Sequence, residues 1–429
     1  MQKLIMTTAL CALLPFAAAA QDKPASLKVG MTTFLTGSAS VFGVPARDAA
    51  DIIVEDLNAA GGIGGVPVEI TYIDEGAGAE ALTAEFRRLV EGNGADVMFA
   101  AISSGNCQTL APLAEDLAVP NFMWDCGTQK IFEEAEYTHV FRTQANATPE
   151  MLAAVLYLLK TKPDFKTIAV VNQDYAWGRD SWDIFSTALK AMKPDVEVVG
   201  EFFPKFGSAD FSTEVSRLQA LAPDVILSTS WGGDLDTFIQ QASQRGLMNN
   251  ATFVLPLAES SLERLGSSLP AGHIIGARGD HYFAHPERRD DPEFQTFLEK
   301  YREKTGAYPI YSVYHVVQAF AALEAAYEKA IEANGGAWPN EEQFLAAMEG
   351  LEFQGLGNPL VMREDNQAIE DQLMGTSAQA GEAPFATMEN MMIFSGAELT
   401  TPVGENSLEW VAGLDAGMVD SVTAKTFEK

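Results

Sequence analysis

Three cysteines and five histidines are all that this 429-residue chain offers to thiol, imidazole or zinc chemistry. Basic side chains are also scarce, 28 Lys and Arg against 59 Asp and Glu. A net charge of −31 repels nucleic acid and anionic lipid, so neither is an expected partner. Past residue 20 no apolar run approaches the roughly 18–20 residues of a spanning helix. The sequence contains no G-x-S-x-G elbow and no H-E-x-x-H pair. General acid–base work by carboxylates is the catalytic route that this composition leaves open.

The first twenty residues, MQKLIMTTALCALLPFAAAA, hold one lysine, a short apolar run that includes Cys11, and a small-residue end. This is the pattern of a secretory signal peptide, expected to be cut near Ala20. The leader takes Lys3 with it and no acid, leaving 27 basic and 59 acidic side chains, a net of −32. Hydrophobic residues make up 47% of the chain, enough for real cores, and the remaining length predicts two lobes or more. Only Cys107 and Cys126 survive export. An oxidising compartment favours a disulfide between them, with unpaired structural thiols and a thiol nucleophile as the alternatives. A zinc site would want four ligands, and His139 has no partner at ligand spacing.

From residue 26 the chain alternates strand and helix patterns. SLKVGMTTF (26–34), VEITYID (68–74) and the continuous apolar run DVMFAAI (96–102) read as strands, with helices expected at 45–60, where Pro45 suits the first turn, and at 79–92. The scheme repeats with strands at 167–172, 196–203, 224–230 and 251–256 and helices at 178–192, 211–221 and 235–245. This order predicts parallel sheets covered by helices. ADVMFAAISSGN (95–106) and PDVILSTSWGGD (223–234) share a plan, an apolar strand followed by a Ser/Gly loop into a helix. Ligands of open α/β sheets bind at such strand ends. The irregular stretches 143–150 and 273–280 are expected to cross between lobes. The segment after 351 has weak periodicity and resists placement.

SSGN (103–106), with Ser104 and Gly105, offers hydroxyls and N–H groups at a helix start, an anion cradle or a plain N-cap. GGIGG (61–65) follows a helix and precedes a strand, the reverse of a nucleotide loop, and reads as a helix stop. Phe42, Trp124, Trp177, Trp231 and Tyr311 sit near strand ends or helix starts, where several together would wall an apolar pocket or hold a cationic group. Glu259, just past a strand, is placed either to meet an amine or to lie in a solvated loop. HYFAH (281–285) has His at i and i+4, but its arginine- and proline-rich setting reads as a surface turn rather than a metal site.

Six stretches, LTGSASVFG (35–43), DLNAAGGIGGVPVEITYID (56–74), SSGNCQTLAPLAEDLAVPNF (103–122), VVNQDYAWGRDSW (170–182), DFSTEVSRLQALAPDVI (210–226) and YSVYHVVQAF (311–320), resemble the periplasmic branched-chain amino-acid-binding family, the Leu/Ile/Val-binding-like solute receptors of ABC importers. The resemblance implies a type I two-lobe α/β fold, each lobe a mostly parallel sheet flanked by helices, with three hinge crossings. Residues 21–145 with about 276–350 would form lobe I, 146–275 with about 351–395 lobe II, and about 396–429 a C-terminal extension. The implied product is a periplasmic, monomeric, cofactor-free and metal-free receptor that hands a small molecule to an inner-membrane permease and catalyses nothing. A ligand-sensing partner of a membrane receptor and a secreted hydrolase are the alternatives.

The resemblance also assigns roles. Ser104, with Gly105 beside it, falls on the loop serine that bonds a ligand carboxylate, and Asp125, Gly127 and Thr128 fall on the head-group loop. Phe42, Trp177 and Trp231 take the aromatic positions, Tyr311 opens the last motif, and Glu259 lies two residues past the family's amine-binding position at Leu257. With no hydroxyl at 127, a displaced acid and two tryptophans, an aromatic carboxylate, an amide or an amine-bearing solute becomes credible. A Cys107–Cys126 disulfide would then staple two binding loops.

Overall fold

The structure is a computed structural model that describes residues 23–379 and 383–427; the leader expected at 1–20, with its expected cleavage point near Ala20, lies outside the described residues. The run LKVGMTT, buried from Val29 to Thr33, forms β1 (Leu27–Thr33). It joins β2 (Val68–Asp74), β3 (Val97–Phe99), β4 (Asn121–Met123) and β5 (Val140–Arg142) in one parallel sheet of order β2-β1-β3-β4-β5. Helices α1 (Ser40–Ala59), α2 (Ala79–Arg87), α3 (Ser104–Asp116) and α4 (Lys130–Glu134) alternate with these strands. Val97, Met98 and Phe99 are all buried, as a strand covered on both faces requires.

The second lobe opens with α5 (Ala147–Thr161), which is buried from Ala147 to Leu159 and correspondingly apolar all round. There follow β6 (Thr167–Val171), α6 (Ala176–Met192), β7 (Glu197–Phe202), α7 (Ser212–Leu221), β8 (Val225–Leu227), α8 (Gly232–Gln244), β9 (Thr252–Leu255), α9 (Leu262–Leu265) and β10 (Ile274–Gly276). The chain then returns to the first lobe, where α10 (Pro292–Thr305) and α11 (Tyr311–Ala333) pack on α1, with α12 (Glu341–Met348) against α11. A small antiparallel sheet of β11 (Glu352–Phe353), β12 (Leu360–Met362) and β13 (Ala368–Ile369) follows. Beyond it, β14 (Gln372–Ala378) and β15 (Thr387–Phe394) enter the second sheet. The last pieces are α13 (Gly396–Leu399), α14 (Ser407–Ala412), α15 (Met418–Ser421) and the edge strand β16 (Ala424–Phe427). The full order is β16-β15-β14-β10-β9-β8-β6-β7, parallel from β10 to β7 and antiparallel from β16 to β10.

Several expected elements differ in extent. The helix anticipated at 45–60 begins at Ser40, so Pro45 lies inside it; the preceding turn is pinned by buried Phe42 and by Gly43, where a Cβ would stand 2.2 Å from Phe34 O. The strand anticipated at 96–102 ends at Phe99 because the N–H groups of Ile102 and Ser103 turn to the Glu75 carboxylate. Residues 351–369 form the small sheet beside α11 rather than joining the second lobe's sheet. The C-terminal segment adds a strand to that sheet and lays α14 on α6. HYFAH is not a surface turn: His281, Tyr282 and His285 are buried, and the Tyr282 hydroxyl accepts from Met388 N at 2.8 Å.

Cys107 in the first turn of α3 is bonded to Cys126 in the loop after β4, with Cα atoms 6.3 Å apart and a sequence separation of 19. Closing a loop of that length removes about 3 kcal/mol of unfolded-chain entropy. The Cys107→Ala/Cys126→Ala double variant is therefore expected to lose about 3 kcal/mol of stability in urea; an unchanged midpoint would show that the loops hold their register without the bond.

Candidate functional site

The ends of β3 and β4 build one wall of a cleft between the lobes. Glu75, buried just after β2, accepts from Thr32 Oγ1 at 2.8 Å, Ile102 N at 2.9 Å, Ser103 N at 3.3 Å and Asn106 Nδ2 at 2.8 Å. Burial raises its pKa, and those four donors pull in the opposite direction. The 102–106 loop is thus moulded around an internal carboxylate, and two of the N–H groups that an anion cradle would use are already taken. Ser104 Oγ accepts from Thr128 N at 3.2 Å, which leaves its own proton free to donate. The next loop is held by Gln144 Nε2 on Cys126 O at 2.9 Å and by Ala147 N on Gly127 O at 2.7 Å.

The opposite wall comes from the second lobe. Trp177, at the start of α6, donates from Nε1 to Thr229 O at 2.9 Å and lays its ring on Gly127, where a Cβ would stand 2.3 Å from Trp177 Cζ3. Only glycine fits opposite that indole. Trp231, just before α8, donates to the Tyr175 hydroxyl at 2.6 Å. Its ring reaches across to Phe34 and Phe42, with centroids 5.9 and 5.3 Å away. Further lobe-to-lobe contacts flank the cleft: Thr128 Oγ1 and Lys130 Nζ meet Asp180 at 2.5 and 2.6 Å, and Gly233 N donates to Ser38 O at 3.1 Å.

Between the walls lies Arg278, in the segment after β10, with a left-handed φ of 44°. Its Nε donates to Glu150 at 3.0–3.1 Å and its Nη1 to Asp125 Oδ1 at 3.1 Å and Asp125 O at 3.2 Å. The guanidinium stacks over Trp177 and Tyr311, 4.9 and 5.5 Å from their ring centroids. Its Nη2 is buried and has no partner. Burial works against the charge, but Glu150 and Asp125 outweigh it and hold Arg278 above its ordinary pKa. Burial pushes both carboxyls up to about 8 even though Arg278 pulls them down.

Ile102, Ser104, Asp125, Gly127, Tyr175, Trp177, Trp231, Leu257 and Arg278 surround a cavity of only about 10 Å³. Five of the expected site residues, Ser104, Asp125, Gly127, Trp177 and Trp231, meet there. Phe42 and Tyr311 stand behind them, 4.9 Å apart by ring centroids. Gly105 and Thr128 are not on the cavity wall, and Thr128 instead spans to the other lobe. Glu259 is buried and accepts from Tyr311 N at 2.8 Å, so it caps the start of α11. Arg278 and Tyr175 were missed; ARGD gave no signal beyond an irregular stretch, and the acids that hold Arg278 are 153 and 128 residues away. His281, His315 and Glu370 converge within 4.8 Å behind Arg278. Both nitrogens of His315 and both oxygens of Glu370 already face protein partners, so these two groups serve the hinge, while neither nitrogen of buried His281 makes a hydrogen bond among the described residues.

The contact at 127 can be tested directly. Gly127→Ala forces Trp177 from its seat, and overpacking of this kind costs about 1–3 kcal/mol. Urea unfolding should therefore show that loss directly; an unchanged midpoint would mean that the indole yields freely.

A model of the periplasmic binding protein family matches residues 26–382. Leu/Ile/Val-binding protein homolog 7 of Brucella suis is 28% identical over 340 residues, covering 76% of this chain and 82% of that protein. Homolog 8 of Brucella abortus is 24% identical over 390 residues, 86% and 92% of the two chains. Among solved structures, an ABC-transporter solute-binding protein of Rhodopseudomonas palustris BisB5, in complex with 3,4-dihydroxybenzoic acid, superposes with a TM-score of 0.75 at 19% identity, covering 88% of this chain and 99% of that one. A leucine-, isoleucine-, valine-, threonine- and alanine-binding protein from Brucella ovis, in a closed conformation, gives 0.72 at 21%, covering 88% and 97%. Those two structures share the type I fold. With 26–382 matched and two lobes enclosing a walled cleft, this chain belongs to the periplasmic binding protein family, a family of binding proteins rather than enzymes.

Proposed function

We propose that this protein is the solute receptor of an ABC importer, closing by a hinge over a small planar aromatic carboxylate. The observation that carries the ligand class is the unspent donor Nη2 of Arg278 inside an aromatic-walled cleft. Two further donors face the same cavity. Ser104 keeps its hydroxyl proton, and so does Tyr175, whose oxygen accepts from Trp231. Three donors suit a carboxylate, and the faces of Trp177 and Trp231 suit a ring. Glu259, the acid that would greet an ammonium group, is occupied at the start of α11. Among the described residues Asp125 is the only acid on the cavity wall, and Arg278 and His315 already engage it. Structural neighbours holding benzoate and 4-hydroxybenzoate support the same ligand class.

An engineered cavity of roughly 150 Å³ admits benzene, far more than the about 10 Å³ here, so the lobes must part to admit a ring and come to rest wider apart around it than in this structure. The chain is proposed to be exported to the periplasm, to work as a monomer, which light scattering checks, and to deliver its ligand to an inner-membrane permease. Thermal shifts against benzoate, 4-hydroxybenzoate, 3,4-dihydroxybenzoate and leucine test the ligand class. A ligand at 100 times its Kd stabilises by about 2.7 kcal/mol. Shifts with the benzoates alone are expected, and a shift with leucine alone would overturn the reading. Arg278→Lys keeps the charge but loses the free arm of the fork, which should weaken benzoate binding roughly 10–100-fold; wild-type affinity in that variant would remove Arg278 from the ligand.

A further inference from the structure

The hydrogen count at Asp125 and His315 does not close without one extra proton. His315 Nε2 lies 2.9 Å from Arg278 O, a carbonyl that can only accept, so this nitrogen carries a hydrogen. His315 Nδ1 faces Asp125 Oδ1 at hydrogen-bond contact. A neutral imidazole with its hydrogen on Nε2 would meet an ionised carboxylate lone pair to lone pair. A further proton must therefore sit between them.

The surroundings say why it stays. Arg278 Nη1 donates to the same Asp125 Oδ1, and Glu150 on α5 holds the other side of that guanidinium. His281 and Glu370 face the pair from the second and third crossings, and their rings and carboxylate lie close to His315. The phenols of Tyr175 and Tyr311 close the remaining sides, and burial holds both well above the ordinary phenol range. One guanidinium thus already faces two buried carboxyl groups before any ligand arrives, and burial pushes both toward the neutral form. A ligand carboxylate on Nη2 would be a third, in a closed site with no further cation on its wall among the described residues.

We propose that closure over an anionic ligand takes up one proton, held between Asp125 Oδ1 and His315 Nδ1, so that capture strengthens as the medium becomes more acidic. This rests on the aromatic-carboxylate reading above. In an open, hydrated cleft the two groups titrate near their ordinary values of about 4 and about 6.5, and above that range they share no proton. In the closed site burial pushes Asp125 up to about 8 and drives His315 well below its usual range, so the proton belongs to the carboxyl. The closed state has the raised value. Tight capture is therefore complete below about pH 6.5 and lost as the pH rises toward about 8, with up to roughly tenfold weaker affinity per pH unit.

Calorimetry with benzoate tests this, because its own carboxylate does not titrate in that window. Titrations near pH 7.2 in two buffers of different ionisation enthalpy should report an uptake of about one proton per ligand bound. The Kd should rise between pH 6.5 and 8. His315→Gln, outside the cavity wall, replaces the imidazole acceptor with an amide that can donate to Asp125, so it should lower the uptake and move the pH profile to more acidic values. Asp125→Asn should abolish the uptake whatever its affinity. Benzoate binding by the wild type with no proton uptake and a flat profile would overturn the inference and leave the ligand class standing. Loss of all binding to the benzoate panel would overturn both.

Discussion

One buried cation organises the cleft. The Arg278 guanidinium is desolvated, and what keeps it charged is a pair of carboxylates delivered by different parts of the chain, Asp125 after β4 and Glu150 at the start of α5. A buried ion pair need not stabilise a fold more than apolar packing would, yet removing one partner leaves the other uncompensated at a cost of about 3–5 kcal/mol. The three groups are therefore mutually obligatory. They tie a first-lobe loop, the first helix of the second lobe and the segment after β10 to a single point, and the walls of the cavity are built outward from it.

The hinge extends that network. Glu370, just before β14, accepts from Ala145 N at 2.8 Å in the first crossing and from Gln318 Nε2 at 2.5 Å on α11. His281 Nε2 approaches the same carboxylate to 2.8 Å from the second crossing. All three crossings thus meet on one buried side chain, while the contacts that fasten the lobes, Asp180 with Thr128 and Lys130 on one flank and Ser38 with Gly233 on the other, lie at the rim. Both oxygens of Glu370 are bonded within the protein, whereas Ser38 and Lys130 on the flanks are exposed enough to exchange their partners for water.

Much of this was legible in the sequence. The buried run at 97–99 and the amphipathic helices reported parallel sheets because burial on both faces leaves a continuous apolar signature. Ser104, Gly127, Trp177 and Trp231 were found through likeness of local motifs, and they do meet at the cavity. Arg278 was invisible because its meaning lies in acids more than a hundred residues away, and a lone arginine beside Gly and Asp looks like any loop. Glu75 was hidden for the same reason: a carboxylate at a strand end reads as solvated until the fold buries it. The segment after 351 gave no period because its strands and helices are two to eight residues long. Such pieces are shorter than the window over which alternation can be counted.

The fit of Trp177 on Gly127 has a further consequence. Because the indole occupies the volume a side chain at 127 would need, neither position can change alone without cost: a larger residue at 127 evicts the ring, and a smaller one at 177 opens a void beside a bare backbone. The two positions, 50 residues apart and on opposite lobes, behave as one letter of the receptor's vocabulary. A descendant of this protein with a different appetite would rewrite both together, trading a flat aromatic wall for a side-chain hydroxyl in a single paired exchange.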